Sequence, residues 1–279
     1  MQLNGMERES ATQTVGQRWA LVLSYDGSRF FGWQKQADGI VTVQSALEAA
    51  LSAIACEPIN VIAAGRTDTG VHATAQVVHF DSPVERPLSA WVRGVNTFLP
   101  PAVAVRWAYP VSEAFHARFS AYGRCYRYLL INRAQRPGVW HGRAGWYHHP
   151  LDENAMQHAA DLLLGEHDFS CFRAADCQAK SPIKLVRYAK VRRFGDMLVF
   201  DFEAGAFLHH MVRNLVGTLV YIGKGAESVQ WVDALLQMKD RKLAAPTFSP
   251  DGLYFRGPVY ESHWGLPMVD DDILDGMLT

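Results

Sequence analysis

The sequence predicts an α+β protein made of two ferredoxin-like or RRM-like units, with mainly antiparallel sheets flanked by helices. Short alternating apolar runs, which are typical of strands, are interspersed with longer amphipathic runs, which are typical of helices. The order strand, helix, strand, strand, helix occurs twice along the 279 residues. Pro100, Pro101 and Pro110 lie between the two occurrences and predict a boundary there.

The first occurrence spans residues 19 to 98. Its predicted elements are strands at 19–25, 61–64 and 75–80 and helices at 43–55 and 88–98. Thr42 is a typical N-cap residue, and the apolar residues that follow it recur on one face of a helix. The strands at 61–64 and 75–80 enclose a glycine-rich loop.

The second occurrence spans residues 124 to 222. Its predicted elements are a strand at 124–131, a helix capped by Asp152 and ending near Gly165, a hairpin of 185–194 and 197–202, and a helix at 207–222. We therefore expect an N-terminal domain at 18–112 and a C-terminal domain at 113–268. The polar residues 1–17 predict a disordered N-terminal tail, and 269–279 form an acidic C-terminal tail.

The charge of the chain excludes a protein that is basic as a whole. Lys and Arg number 27 against 28 Asp and Glu, which gives a net charge of -1. Any polyanion must therefore meet a local patch, and two segments, 118–143 and 180–193, are rich in Arg and Lys. No apolar run is long enough to span a bilayer, so we expect a cytoplasmic protein without a membrane partner.

The loop Gly65-Arg66-Thr67-Asp68-Thr69-Gly70-Val71-His72-Ala73 is the strongest candidate for a catalytic site. It places one carboxylate, Asp68, in a turn between two predicted strands, with a cation two residues before it. A carboxylate fixed in this way suits a nucleophile or a general base. The alternative is a turn aspartate that only hydrogen-bonds its own loop.

Two further side chains are candidates for the same site. Arg213 lies in an apolar helical run and needs an anionic partner if it is buried, for which Asp68 is our candidate. Tyr126 lies in a strand with Arg124 and Tyr128 on the same face, a pattern that suits base stacking and phosphate contact. A surface ion pair for Arg213 and ordinary sheet packing for Tyr126 remain as alternatives.

The sequence favours neither a metal nor a nucleotide cofactor. Asp68 and His72 offer two ligands, but no H-E-x-x-H run or paired Cys/His spacing occurs. No Walker A loop occurs, and no G-x-G-x-x-G follows a strand. We therefore expect no metal and no cofactor.

Seven ordered motifs resemble those of the TruA family of tRNA pseudouridine synthases, over about residues 18 to 265. They lie at residues 25–34, 65–73, 115–121, 126–128, 168–173, 209–214 and 252–254. The resemblance implies the pseudouridine synthase fold and an isomerase that detaches uracil from its ribose and rejoins it through C5 without a cofactor. The implied substrates are uridines 38 to 40 in the anticodon arm of tRNA, bound by a homodimer in which one tRNA contacts both subunits.

The resemblance also implies roles for five residues. Asp68 matches the catalytic aspartate, Tyr126 the base-stacking tyrosine and Arg213 the cation that pairs with the aspartate. Leu253 matches an apolar residue beneath the uracil. Arg66 matches the loop arginine that holds RNA and helps the target base to flip out.

Two other classes of protein remain open from the residues alone. One is a non-catalytic RNA-binding protein with two RRM-like halves, although no strand carries the usual RNP aromatic pattern. The other is a metal-dependent hydrolase that uses Asp68 and His72. The binding protein predicts that Asp68→Asn changes little while variants of the basic patches lose RNA affinity. Loss of activity with a chelator would support the hydrolase, and activity without metal would exclude it.

Overall fold

The computed structural model describes residues 16–37 and 39–267 and confirms the predicted α+β class. The strands are β1 (Gln17–Tyr25), β2 (Ile62–Ala63), β3 (His72–Ser82), β4 (Val103–Val111), β5 (Ala121–Asn132), β6 (Gly145–Tyr147), β7 (Gly165–Asp168), β8 (Ile183–Phe194), β9 (Met197–Ala204) and β10 (Leu253–Tyr260). The helices are α1 (Val43–Ala55), α2 (Val95–Phe98), which continues a π-helical segment at Ala90–Gly94, α3 (Glu153–Asp161), α4 (Met211–Gly223) and α5 (Trp231–Met238). The predicted tails lie outside the described residues, except that Gly16 is described and Gln17 begins β1.

The ten strands of the described chain form one mixed sheet. Eight of them run in the order β4-β1-β3-β10-β5-β9-β8-β7, while β2 pairs with β3 and β6 with β5. The neighbours β3 and β10 are parallel, and they join the strands of the first half of the chain to those of the second. In their register Tyr254 lies opposite His72 and Phe255 opposite Ala73, so β10 begins beside the end of the Asp68 loop.

Two apolar cores lie between the sheet and its helices. In the first, buried residues of α1 such as Leu47 and Leu51 pack against β1 and β3. In the second, α3, α4 and α5 pack against β5, β8 and β9. Tyr126 contacts both cores, so it lies where the two halves of the molecule meet. The predicted cap of α1 is confirmed, because Thr42 Oγ1 accepts from the Ser45 N–H at 3.2 Å.

The sequence pattern missed the last strand of each half. β4 occupies Val103–Val111 and pairs with β1, so the segment that contains Pro110 is a strand beside the first half of the chain. Pro110 is tolerated because β4 lies at the edge of the sheet, where a missing N–H breaks no ladder bond. The division after residue 112 stays a prediction.

Two predicted helix boundaries also differ from the structure. The helix predicted at 207–222 begins at Met211, because His210 has a left-handed backbone with φ 61° that a continuous helix does not allow. His209 therefore lies outside the helix that carries Arg213. The helix capped by Asp152 ends at Asp161, and Gly165 already begins β7.

Some arginines of the two basic segments form ion pairs within the protein and are therefore not available to a partner. Arg127 is 2% exposed and donates to Asp201 at 2.6 and 3.2 Å. Arg192 donates to the same carboxylate at 2.6 Å, and Arg193 pairs with Glu153 at 2.7 Å. Sequence periodicity does not distinguish such arginines from those on an open surface, because both alternate with apolar residues along a strand.

The buried Asp201 carboxylate supports a stability prediction. We expect Asp201→Asn to lower the free energy of unfolding by about 3 kcal/mol, because it removes a negative charge that pairs with the buried Arg127 guanidinium at 2.6 Å. The matched control is Asp196→Asn, which removes an exposed pair with Arg133 at 3.5 Å and should cost less than about 1 kcal/mol. Urea unfolding measures both, and equal losses would show that burial does not set the cost.

Candidate active site

The loop that carries Asp68 is fixed by its own backbone and by β3. The Val71 N–H donates to the Asp68 carbonyl at 3.1 Å, which closes a turn, and the Ala64 N–H donates to the Val77 carbonyl at 2.8 Å. Gln76 reaches back from β3 and donates to the Gly65 carbonyl at 2.7 Å. The carboxylate therefore stands on a tight turn between two paired strands, as the sequence predicted.

The segment after β1 closes on the same loop. The Tyr25 hydroxyl lies 2.8 Å from Thr67 Oγ1, and the Trp33 N–H donates to the Thr67 carbonyl at 3.0 Å. A Cβ at Gly32, which has φ +84°, would lie 2.9 Å from that carbonyl oxygen. A Cβ at Gly27 would lie 1.9 Å from the Val71 carbonyl oxygen. The aromatic and glycine motif at 25–34 is thus explained by its close packing against the Asp68 loop.

We expect Gly27→Ala to displace the Asp68 loop. The new methyl group meets backbone rather than a flexible side chain, so the variant should lose about 2–3 kcal/mol of stability together with part of its activity. Gly205→Ala is the matched control, since a Cβ there meets its nearest atom at an ordinary 3.7 Å. Thermal unfolding and turnover measured on both variants check this, and a fully active, stable Gly27→Ala would contradict the packing argument.

Three cationic or titratable groups surround the Asp68 carboxylate, which is 24% exposed. Arg213 Nη1 lies 3.3 Å from Oδ2, His209 Nε2 lies 3.1 Å from Oδ1 and His210 Nε2 lies 3.4 Å from Oδ2. Burial lowers the pKa of His210, and the Asp68 charge opposes part of that effect. The structure therefore brings Arg213 to Asp68 from the other half of the chain.

Arg213 is positioned by a second contact. Its Nε donates to the Phe248 carbonyl at 2.8 Å, and the Phe248 N–H donates to the Arg213 carbonyl at 3.3 Å. The side chain is only 14% exposed. Because both ends of the guanidinium have acceptors, its orientation toward Asp68 is fixed before any substrate arrives.

Sequence reasoning missed the histidines and their partner. No role was assigned to His209 or His210 from the sequence, although both lie in the motif at 209–214, and Asp176 was not singled out. His209 Nδ1 lies 2.9 Å from the Asp176 carboxylate, whose pKa this hydrogen bond lowers. The adjacent pair His209-His210, just before a helix with an inward Arg, was the available signal, but the turn that aims both rings at Asp68 is a backbone feature.

Tyr126 and Leu253 lie on neighbouring strands near the loop. The Tyr126 ring is half-buried, with its centroid 5.1 Å from Phe207 and 5.0 Å from Phe255. Burial raises the pKa of Tyr126, and the Asp68 charge raises it further, so the two groups interact electrostatically. Leu253 is 5% exposed and begins β10, opposite Tyr128 of β5.

Arg66 lies on the open side of the loop. It is exposed, and among the described residues its guanidinium has no hydrogen-bond or ion-pair partner. A cation that is not used by the protein is available to a phosphate.

His72 does not join Asp68. It is 2% exposed, its Nδ1 accepts from the Gly27 N–H at 3.1 Å, and its Nε2 lies 3.1 Å from the Asp251 carbonyl. Nδ1 also lies 3.2 Å from the Asp26 carboxylate, yet burial outweighs that charge and lowers the pKa of His72. A neutral ring with its proton on Nε2 satisfies both hydrogen bonds, so His72 serves the structure and does not form the pair with Asp68 that a hydrolase would need.

Asp68, His209 and His210 place one donor atom each within 4.8 Å of one another, a spacing that a metal ion can bridge. The Arg213 guanidinium, 3.3 Å from the same carboxylate, disfavours a second cation by charge repulsion. The cluster is thus a carboxylate that accepts a hydrogen bond from the Arg213 guanidinium, with a nitrogen of each of two imidazole rings within 3.4 Å of it. Such a site is suited to acid–base or nucleophilic chemistry.

Comparison with known proteins gives the same class of enzyme as the sequence motifs. The family described as tRNA pseudouridine synthase matches residues 21–120 and 159–261. A tRNA pseudouridine synthase A from Dechloromonas aromatica is 70% identical over 94% of this chain and 99% of its own. One from Methylobacillus flagellatus is 57% identical over 93% and 99% of the two chains. A solved Cbf5–Nop10–Gar1 complex aligns with 11% identity and a TM-score of 0.29 over 72% of this chain and 54% of that one, which supports no argument.

These matches identify the class as a tRNA pseudouridine synthase, which is an isomerase. At this identity over nearly the full length, the chain belongs to the TruA family. In the part of the chain that the structure describes, no helix is long and apolar enough to cross a membrane.

Proposed function

We propose that this enzyme converts uridines 38 to 40 of the tRNA anticodon arm to pseudouridine, with Asp68 as its catalytic carboxylate and without a cofactor. The observation that carries the proposal is a single fixed carboxylate at the junction of the two halves, which accepts a hydrogen bond from Arg213 Nη1 at 3.3 Å. Arg66 and Leu253 complete the proposed substrate site.

The reaction needs few groups. The N1–C1′ bond breaks, the uracil turns, the C5–C1′ bond forms, C5 gives up its proton and N1 gains one. Attack on the sugar, attack on the ring and proton abstraction each require an ionised carboxylate, and Arg213 supplies the adjacent positive charge. No electrons enter or leave, which is consistent with the proposed absence of a redox cofactor.

A uridine stacked in a helical stem must leave the stack to reach Asp68. We assign Tyr126 to stack on the flipped base, because its ring contacts Phe207 and Phe255 and lies where the two cores meet. Leu253 is the apolar residue on the other side of the base. Arg66, which is exposed, contacts the phosphate backbone next to the flipped nucleotide.

Exposed cation–aromatic pairs extend this surface. The Arg118 guanidinium lies 5.6 Å from the centre of the Phe119 ring, and Arg187 lies 5.5 Å from that of Tyr122. Arg124 ties this region to the active-site loop, since it donates to the Ala64 carbonyl at 3.4 Å and to the Arg118 carbonyl at 2.5 Å. A surface with these groups suits an RNA backbone with unpaired bases.

The proposal also concerns the fold and the assembly of the whole molecule. The two halves have the sheet orders β4-β1-β3-β2 and β10-β5-β9-β8, which correspond to the 4-1-3-2 order of ferredoxin-like units. We propose that such a chain acts as a homodimer in the cytoplasm, with one tRNA contacting both subunits. The size distribution of the purified enzyme in solution checks the dimer.

Tritium release tests the function and its position. Transcripts labelled at uridine C5 lose tritium when the new carbon–carbon bond forms, so tRNAs that carry uridine only at 38, 39 or 40 in the anticodon arm should release it. Tritium release is measured in the presence of chelator. A transcript with cytidine at all three positions is the control, and equal release from it would overturn the assignment of the substrate site.

A further inference from the structure

We propose that a triangle of hydrogen-bonded side chains beside α4 sets the direction of the Arg213 side chain. Its members, which we call the Asn214 triangle, are Asn214, Thr247 and Arg241. The triangle holds the segment 244–248, whose Phe248 carbonyl accepts from Arg213 Nε at 2.8 Å. The inference rests on the proposed role of Arg213 at Asp68 and goes beyond it by naming the positioning residues that hold the arginine.

The side-chain amide of Asn214, which is fully buried, joins the triangle together. Its Oδ1 accepts from Thr247 Oγ1 at 2.7 Å and from Arg241 Nη2 at 3.0 Å. Arg241 Nη2 also donates to Thr247 Oγ1 at 3.1 Å, which closes the triangle. The amide Nδ2 donates to the Phe172 carbonyl at 2.7 Å. All the polar atoms of the amide are therefore used, with donors at its oxygen and an acceptor at its nitrogen.

Phe248 lies between two residues that are both held in place. Thr247, before it, carries the hydroxyl of the triangle, and the Ser249 carbonyl, after it, accepts from the Tyr128 hydroxyl at 2.9 Å. A peptide carbonyl held from both sides keeps its direction. This carbonyl is the acceptor of the arginine, so the triangle acts on the active site through one hydrogen bond.

The segment 244–248 lies directly on the helix that carries the arginine. A Cβ at Gly217 of α4 would clash with the Pro246 carbonyl oxygen, so glycine permits this close approach. Arg241 Nη1 donates to the carbonyls of Ala244 and Ala245 at 3.3 and 2.9 Å. The triangle therefore holds the start of the segment by its backbone and the residue before Phe248 by its side chain.

The direction of the guanidinium matters because its contact with the carboxylate is long. Arg213 Nη1 donates to Asp68 Oδ2 at 3.3 Å, slightly beyond the usual range for such a bond. A small displacement of the Phe248 carbonyl would break it, and a displacement of about 1 Å in an active site can cost about a hundredfold in rate. Removing one member of the triangle should cost less, because the contact at Ser249 remains.

The test removes one hydroxyl and leaves its neighbours paired. Thr247→Val keeps the shape of the side chain, and Arg241 Nη2 still donates to Asn214 Oδ1. The rate of single-turnover tritium release should fall about tenfold, while the affinity for tRNA stays within about twofold. The melting temperature should fall by only about 3 °C. Thr247→Ser keeps the hydroxyl and should restore most of the rate.

Thr218→Val is the matched control. The Thr218 hydroxyl is buried in the same helix and has no hydrogen-bond partner in the described part of the chain, so its loss should change neither rate nor stability appreciably. Arg241→Met is a second variant that opens the triangle at another corner. It should slow turnover by about tenfold or more, again with little change in the affinity for tRNA.

A double-mutant cycle separates positioning from general damage. If the triangle acts through the arginine, Thr247→Val should slow the wild type about tenfold but the Arg213→Met enzyme by less than about twofold. Equal losses in the two backgrounds, or wild-type rates in both Thr247→Val and Arg241→Met, overturn the inference. If Arg213→Met itself turns over at the wild-type rate, the proposed role of the arginine fails together with this inference. If Arg213→Met is slow while both triangle variants are fast, only this inference fails.

Discussion

Replacing Asp68 with asparagine is expected to lower the rate of pseudouridine formation by about a thousandfold or more, while tRNA binding stays within a few-fold of the wild type. Asparagine keeps the shape of the side chain but can neither attack carbon nor accept the proton. In the proposed function, binding depends instead on cations outside the catalytic pair, such as Arg66, which the substitution leaves intact. Tritium release under single-turnover conditions gives the rate, and filter binding at the same salt gives the affinity.

Asp233→Asn is a suitable control for this variant, because it removes an exposed aspartate of α5 and should leave both quantities unchanged. Thermal unfolding of the Asp68 variant shows whether the fold has survived. A folded Asp68→Asn enzyme that converts uridine at the wild-type rate would remove Asp68 from the chemistry. A variant that loses binding together with turnover would assign Asp68 to the RNA contact instead.

Local sequence patterns predicted the elements whose ends carry capping or turn residues. Thr42 caps α1 where its side chain indicated, and Gly195-Asp196 connects β8 to β9 as the turn pattern required. The strands β4 and β10 were missed for different reasons. β4 contains Pro110 and lies at an edge, while β10 follows a loop and is defined by its pairing with β3 and β5, a contact distant in sequence.

The candidate site was predictable as far as its residues lie in recognisable motifs. Asp68 and Arg213 were paired from the need of an inward arginine for an anion, and the distance of 3.3 Å between them agrees with that expectation. His209 and Asp176 were not found, because their approach depends on the left-handed turn at His210 and on the attachment of the 174–177 loop. Backbone turns of this kind leave no periodic signal in the sequence.

Replacing Arg213 with methionine is expected to reduce turnover by about a hundredfold or more and to lower stability by about 1–3 kcal/mol. The variant removes the charge at Asp68 Oδ2 and leaves the Phe248 carbonyl without its side-chain donor, so the catalytic and structural losses have separate causes. Arg213→Lys separates them further. A single ammonium at the end of a flexible chain does not reproduce the fork that reaches both acceptors, so we expect partial activity.

The control for Arg213 is Arg93→Met, an exposed arginine in the π-helical segment before α2, which should change neither rate nor stability appreciably. A double-mutant cycle gives the coupling directly. If Arg213 acts through Asp68, the double variant Asp68→Asn with Arg213→Met should be about as slow as Asp68→Asn alone, because the carboxylate that the arginine serves is already gone. Fully additive losses would mean that Arg213 contacts the substrate on its own account, and the ion pair would then be a consequence of proximity rather than part of catalysis.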